Sequence, residues 1–194
     1  MDNIITAIVG MCGTGKSAAA KYIEKTFAFK PVYFGGYILE EVKRRHLEIN
    51  ITNEKRVRED LRNKYGLDVV ARMFIDNINS YLMAGFNVII DGLYSFSEYL
   101  YLKEKFGKQL FILSIHSTKT VRYQRVGKRK VRPLTPEQVD ERDFSEIKNI
   151  EKAGPIAIAD YHIINDGDFQ ELFKNIDDIF EKQDLGIRGN EVER

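Results

Sequence analysis

The chain has 194 residues, which suits one domain with a small mobile insert. Hydrophobic residues make up 43%, enough for a full core, and the net charge of +1 supplies no global field arguing for nucleic acid or a membrane surface. A single cysteine excludes an intrachain disulfide framework and suits a reducing cytoplasm, and no apolar run is long enough to span a bilayer.

Strand-like and helix-like segments alternate along the chain. Ile4 to Val9 reads as a first strand, and Ser17 to Glu24 as the helix after it. Between them, Gly10-Met11-Cys12-Gly13-Thr14-Gly15-Lys16-Ser17 fits the phosphate-binding pattern G-x-x-x-x-G-K-[ST] in its proper strand–loop–helix context. Glycines let the backbone curl until successive N–H groups face phosphate oxygens, and the helix N-terminus adds partial positive charge. Lys16 then reaches the β- and γ-phosphates of a nucleoside triphosphate, and Ser17 holds Mg²⁺. Cys12, inside the loop, reads as a small side chain that fits, with a redox role as the alternative.

Pro31 to Phe34 predicts a second strand, Tyr37 to Leu47 a helix and Asn53 to Lys64 a charged helix. Leu67, Val70, Ala71, Phe74, Ile75, Ile78 and Leu82 recur at helical spacing, and Gly85 ends that helix. Phe86 to Asp91 is the next strand, and Ser95 with Glu98 forms a capping box opening another helix. The nearly continuous apolar run from Gln109 to Ile115 suits a strand buried on both faces. A helix follows from about Thr118 to Val126. Thr135-Pro136-Glu137-Gln138 is a strong helix start, and that helix runs towards Gly154. Tyr161 to Asn165 is a last strand, and Phe169, Leu172, Phe173, Ile176, Ile179 and Phe180 define a final amphipathic helix. This alternation predicts a mostly parallel, five-stranded sheet covered on both sides, with ligand at the carboxyl ends of the strands.

Asp91 ends an apolar strand, where a carboxylate beside a phosphate loop holds Mg²⁺; a solvated aspartate is the alternative. From Lys119 to Arg132 the chain carries Lys119, Arg122, Arg125, Lys128, Arg129, Lys130 and Arg132 and no acid. This run reads as a solvated face, a nucleic-acid patch, or a lid over the triphosphate, and the lack of aromatic stacking groups favours the lid. Arg125 and Arg129 share a helix face if the helix extends that far. Arg142 reaches the same phosphates from the next helix or forms a local ion pair. The histidines, His46, His116 and His162, lack metal-ligand spacing, and a hydrogen-bonded structural role is expected for His162.

Together these features resemble the nucleoside monophosphate kinase and dephospho-CoA kinase group, and in particular an adenylate-kinase-related, dephospho-CoA-kinase-like family of P-loop kinases. The resemblance runs to about Asp168. Besides the phosphate loop it rests on Glu40 to Arg45, Tyr65 to Arg72, Gln124 to Arg129, Leu134 to Val139 with Arg142, and Ile158 to Gly167. It implies a P-loop NTPase fold of three α/β/α layers spanning residues 1–183, a small helical lid over about 118–142 and a flexible tail over 184–194. It also implies ATP, with GTP as the alternative, and Mg²⁺ at the loop, with Lys16, Arg125, Arg129 and Arg142 as the catalytic cations. The expected acceptor is a nucleotide-like small molecule and the expected location is cytoplasmic.

The acceptor side departs from that family. After strand two such kinases carry an aspartate and often an arginine three residues on. Here the matching positions hold Gly35, Gly36 and Leu39. A hydroxyl is a poor nucleophile without a base, whereas a phosphate acceptor is already ionised. The missing carboxylate therefore counts against a hydroxyl acceptor. The missing arginine leaves Arg44, Arg45, Arg58, Arg62 or Arg72 as substitutes. It also motivates a rival from another class, a nucleotide-binding regulatory module that transfers nothing.

Overall fold

A computed structural model describes residues 3–183 and residue 185. The tail expected over residues 184–194 lies, Leu185 apart, outside them. In chain order the elements are β1 (Ile5–Val9), α1 (Lys16–Thr26), β2 (Lys30–Tyr33), α2 (Phe34–Arg44), α3 (Ile51–Tyr65), α4 (Val69–Met83), β3 (Val88–Asp91) and α5 (Phe96–Phe106). There follow β4 (Leu110–His116), α6 (Lys119–Gly127), α7 (Pro136–Ile150), α8 (Ala153–Ala157), β5 (Tyr161–Ile164) and α9 (Phe169–Lys182).

The five strands lie in the order β2-β3-β1-β4-β5, and every pairing is parallel. Period-two alternation sends Ile5, Ala7 and Val9 to one face of β1 and Ile8 to the other, so both faces are apolar. The first face packs under α2 to α5 and the second under α1 and α9. Each fully buried isoleucine, such as Ile5, Ile8 or Ile90, stabilises the fold by about 1.5–3 kcal/mol. The register sets Tyr33 beside Asp91 and Asp91 beside Ile8. Three strand ends thus meet at one edge of the sheet, next to the glycine-rich loop.

Both expected capping boxes are present, Ser95 with Glu98 and Thr135 with Gln138. Three of the boundaries that differ from expectation bear on the site. The helix after β2 starts at Phe34, three residues early, because Phe34 is buried and stacks on Phe74 with ring centroids 5.4 Å apart. The helix from Pro136 stops at Ile150, and Glu151 takes a left-handed φ of 56° before α8 begins. The break lets Lys152 turn inward to a buried ion pair. The helix from Lys119 ends at Gly127, so Arg129 lies beyond it and does not share a helix face with Arg125.

Candidate functional site

β1 delivers the chain into residues 10–15 with buried side chains behind it and the α1 N-terminus ahead. Gly10 has φ +141°, and a Cβ there would sit 2.3 Å from the Ile115 carbonyl oxygen of β4. Gly15 has φ +98°, and its Cβ would sit 2.5 Å from Asn165 Nδ2. Neither close approach tolerates a side chain. The loop carbonyls are turned to side-chain donors. Met11 O accepts from Lys16 Nζ at 2.7 Å and from Thr14 Oγ1 at 3.1 Å. Cys12 O accepts from Arg122 at 2.9 Å, and Thr14 O from Asn165 Nδ2 at 2.8 Å. In a trans peptide the next N–H points the opposite way, so each clamp also aims an amide of the loop.

The N-termini of α3, α5, α7 and α9 are capped by Asn50, Ser95, Thr135 and Asp168. Helix α1, like α2, α4, α6 and α8, has no side-chain cap, and it has no acid in its first turn. Its leading N–H groups and the positive end of its dipole are left for an anion. Burial among like charges, Lys152 first and Arg142 further off, brings Lys16 down from its ordinary 10.5 to about 7. Beside it, burial raises the Asp91 carboxyl, while the Ser17 hydroxyl and the Lys16 charge oppose that rise. Ser17 and Asp91 therefore form a pair of hard oxygen donors at the mouth of the loop. They fit Mg²⁺, which takes one or two carboxylates and completes its octahedron with phosphate and water. Among the described residues no cluster of three or more His, Cys, Asp or Glu offers an all-protein metal cage.

One cavity of about 910 Å³ opens from the loop. Cys12, Lys16, Ser17, Asp91 and Arg129 line it, and so do Tyr33, Leu39, Arg58, Arg62 and Arg132. Arg142, Glu146 and Lys152 line it as well. Arg142 Nε donates to Glu146 Oε1 at 2.9 Å, and Lys152 Nζ donates to Glu146 Oε2. Burial alone would raise the Glu146 carboxyl, but Lys152 and Arg142 together hold it well below the usual carboxylate range. The Lys152 ammonium also lies 5.0 Å from the centre of the Tyr94 ring. The Tyr33 ring lies across Gly35 and Gly36, its hydroxyl 2.6 Å from where a Gly35 Cβ would be.

The structure thus brings Lys16, Ser17, Asp91, Arg129 and Arg142 to one cavity, as the sequence suggests, but not Arg125. That guanidinium donates to the carbonyls of Asn165 and Gly167, each at 2.7 Å, and does not line the cavity. Arg129 lies with its guanidinium 3.6 Å from Cys12 Sγ. The basic run is not an open patch. Lys119 pairs with Asp140, Arg122 with Asp143 and Arg132 with Glu54, two of these acids lying on α7. Of the arginines that might replace the missing one at position 39, only Arg58 and Arg62 reach the cavity. The ion pair expected of Arg142 also exists, but with Glu146 one turn on. His162 is hydrogen-bonded to His116 at 2.9 Å and stands apart from the cavity.

Sequence reasoning missed Arg122, Asn165, Glu146 and Lys152 as parts of this site. Arg142 and Glu146 at i,i+4 spacing on an otherwise predicted helix were the available signal. Nothing local marks Asn165, whose partner Thr14 is 151 residues away.

Comparison with known proteins agrees with this geometry. Residues 7–149 match the AAA domain family. The chain is 31% identical to a UPF0200 protein of Thermococcus onnurineus over 182 residues, covering 92% of this chain and 97% of that one. It is 28% identical to a UPF0200 protein of Methanococcus maripaludis, covering 92% and 96%. Among solved structures, shikimate kinase from Aquifex aeolicus superposes with a TM-score of 0.58 at 20% identity, covering 95% and 100% of the two chains. A gluconokinase from Sinorhizobium meliloti superposes with a TM-score of 0.54 at 11% identity, covering 95% and 97%. These similarities establish the P-loop kinase fold. Among the described residues no helix is long and apolar enough to cross a membrane.

Proposed function

The chain belongs to the UPF0200 family and carries an AAA domain, and from that premise we propose that it is an ATP- and Mg²⁺-dependent small-molecule kinase with a nucleotide-like acceptor. The observation that carries this reading is the continuity of the cavity. Its lining joins Lys16 at the uncapped α1 N-terminus with Asp91, Arg58 and Arg62. Donor and acceptor chemistry can therefore meet in one cavity.

Phosphoryl transfer is mainly a problem of position and charge. The loop amides and Lys16 bind the β- and γ-phosphates of ATP. Arg129 and Arg142 approach them from the segment after α6 and from α7, which act as the lid. Ser17 and Asp91 would hold Mg²⁺, whose charge offsets that of the triphosphate. Arg125 has a positioning part in this reading, fastening the 165–167 loop that in turn holds Thr14. No carboxylate stands at Gly35, Gly36 or Leu39 to serve as base, so an acceptor already ionised as a phosphate fits best.

A second reading, a nucleotide-binding regulatory module, draws on Tyr33 lying across Gly35 on the acceptor side. The two readings share the donor site and differ in the product. Titration with a nonhydrolysable ATP analogue and Mg²⁺ tests the shared part. Binding that Lys16→Ala weakens at least tenfold is expected, and equal binding by both proteins would remove both readings.

A further inference from the structure

Most charges around the acceptor half of the cavity are already matched. Arg132 pairs with Glu54 at 2.5 Å, and Lys55 lies 3.9 Å from Glu141. Two guanidiniums have no hydrogen-bonded carboxylate among the described residues. Arg62 has a side chain only 5% exposed, lines the cavity, and forms a loose ion pair with Glu98, its Nη2 3.7 Å from Oε1. That separation is too long for a hydrogen bond. Arg62 Nε and Glu98 Oε1 are both buried without a hydrogen-bond partner. The other Glu98 oxygen is committed to the Tyr94 and Ser95 amides, which start α5, so the carboxylate is held back from Arg62. Arg58, one turn earlier on α3, also lines the cavity and has no hydrogen bond or ion pair among the described residues. Burial lowers the Arg62 guanidinium from its ordinary range, and Arg58 adds to that effect while Glu98 opposes it.

A buried guanidinium left half-satisfied is costly, and the natural remedy is an anion with several acceptor oxygens. Resting on the kinase reading above, we infer that Arg58 and Arg62 form the acceptor's anion subsite and take a phosphomonoester dianion. The pair replaces the arginine that Leu39 lacks, from a different helix. Arg62 supplies a rigid, planar set of donors, and Arg58 adds the second charge that a dianion needs. Both arginines stand on α3, a different element from the phosphate loop, and in this reading the anion they hold is the acceptor's own.

The test fills the donor loop first with a nonhydrolysable ATP analogue and Mg²⁺, then titrates inorganic phosphate while following the ¹⁵Nε–H resonance of Arg62. The expected result is a saturable shift of that resonance. Phosphate should bind at least tenfold more weakly to Arg58→Gln, with analogue affinity unchanged. Arg58 is only half-buried and unpaired, so this variant keeps the fold even if Arg62→Met does not. Acetate, a monoanion, should bind at least tenfold more weakly than phosphate. No shift up to saturating phosphate, equal phosphate binding by Arg58→Gln, or acetate binding as tightly as phosphate would overturn the assignment. Phosphate binding here without phosphoryl transfer would leave the subsite standing and remove the kinase reading. Transfer that is indifferent to Arg58 and Arg62 would do the reverse.

Discussion

Lys16 turns back on its own loop, its Nζ donating to the Met11 carbonyl oxygen across 2.7 Å. The ammonium is held near where an incoming phosphate would sit, yet its protonated form is disfavoured, with a pKa of about 7. A triphosphate supplies the missing negative charge and should restore the proton.

Binding of a Mg²⁺-bound ATP analogue at pH 8 should therefore take up part of a proton, and uptake should fade below about pH 7. Calorimetry in buffers of different ionisation enthalpy measures this, and Lys16→Arg should abolish it. Stability obeys the same linkage. Between about 7 and the ordinary 10.5 the unfolded chain binds more protons at this position than the folded one. The Lys16 contribution is fully unfavourable below that window and is relieved as pH rises through it. Wild type should gain stability relative to Lys16→Met between pH 6.5 and 9.5, measured from urea midpoints.

Asn165, the residue after β5, holds the Thr14 carbonyl and is buried. Asn165→Ala should cost about 1–3 kcal/mol, through a lost hydrogen bond and an unsatisfied carbonyl. Thermal unfolding should fall by several degrees, and affinity for the ATP analogue by roughly tenfold, since the Gly15 amide is no longer fixed. Unchanged affinity would show that the loop keeps its shape without this clamp.

Glu146 neutralises the buried Lys152 and the Arg142 guanidinium, whose side chain is 35% exposed. Glu146→Gln should destabilise the protein by about 3–5 kcal/mol at pH 7. The carboxyl is held below its usual value, so its stabilisation is fully present above the ordinary carboxylate pKa. It is lost as pH falls through the lower folded value. The difference between variant and wild type in urea should therefore narrow in strong acid. Pairing the variant with Lys152→Met should recover much of the loss at neutral pH.

Gly35 makes room for the Tyr33 ring. Gly35→Ala gains helix propensity in the first turn of α2, up to about 1 kcal/mol, but its Cβ forces the ring aside. Net stability should change by less than about 1 kcal/mol. The acceptor KM should shift several-fold while the ATP KM stays constant. Equal shifts in both would place Tyr33 outside the acceptor region.

The donor side was legible because its signals are local. Gly10 to Ser17 lies within eight consecutive residues, and Asp91 closes a strand whose apolar run is unmistakable. The alternation of strands and helices predicted the layered sheet because both faces of a parallel sheet must be apolar. What escaped depends on long-range packing or on backbone choices without a sequence mark. Glu151 takes a left-handed φ with no glycine to announce it, and Lys152 is buried only because of that turn. Arg125 diverges from Arg129 because α6 stops at Gly127, a boundary that nothing in Arg-Val-Gly-Lys-Arg specifies. Arg58 and Arg62 were two of five candidate arginines until the cavity separated them from the rest.

The most direct measurement is phosphorus NMR of wild type and Lys16→Ala, each with ATP, Mg²⁺ and a panel of nucleoside monophosphates and dephospho-CoA. The account predicts a new phosphorylated acceptor and ADP in equal amounts with wild type, and neither with a folded Lys16→Ala. Slow release of inorganic phosphate with no phosphorylated acceptor in any mixture, or undiminished transfer by Lys16→Ala, would contradict it.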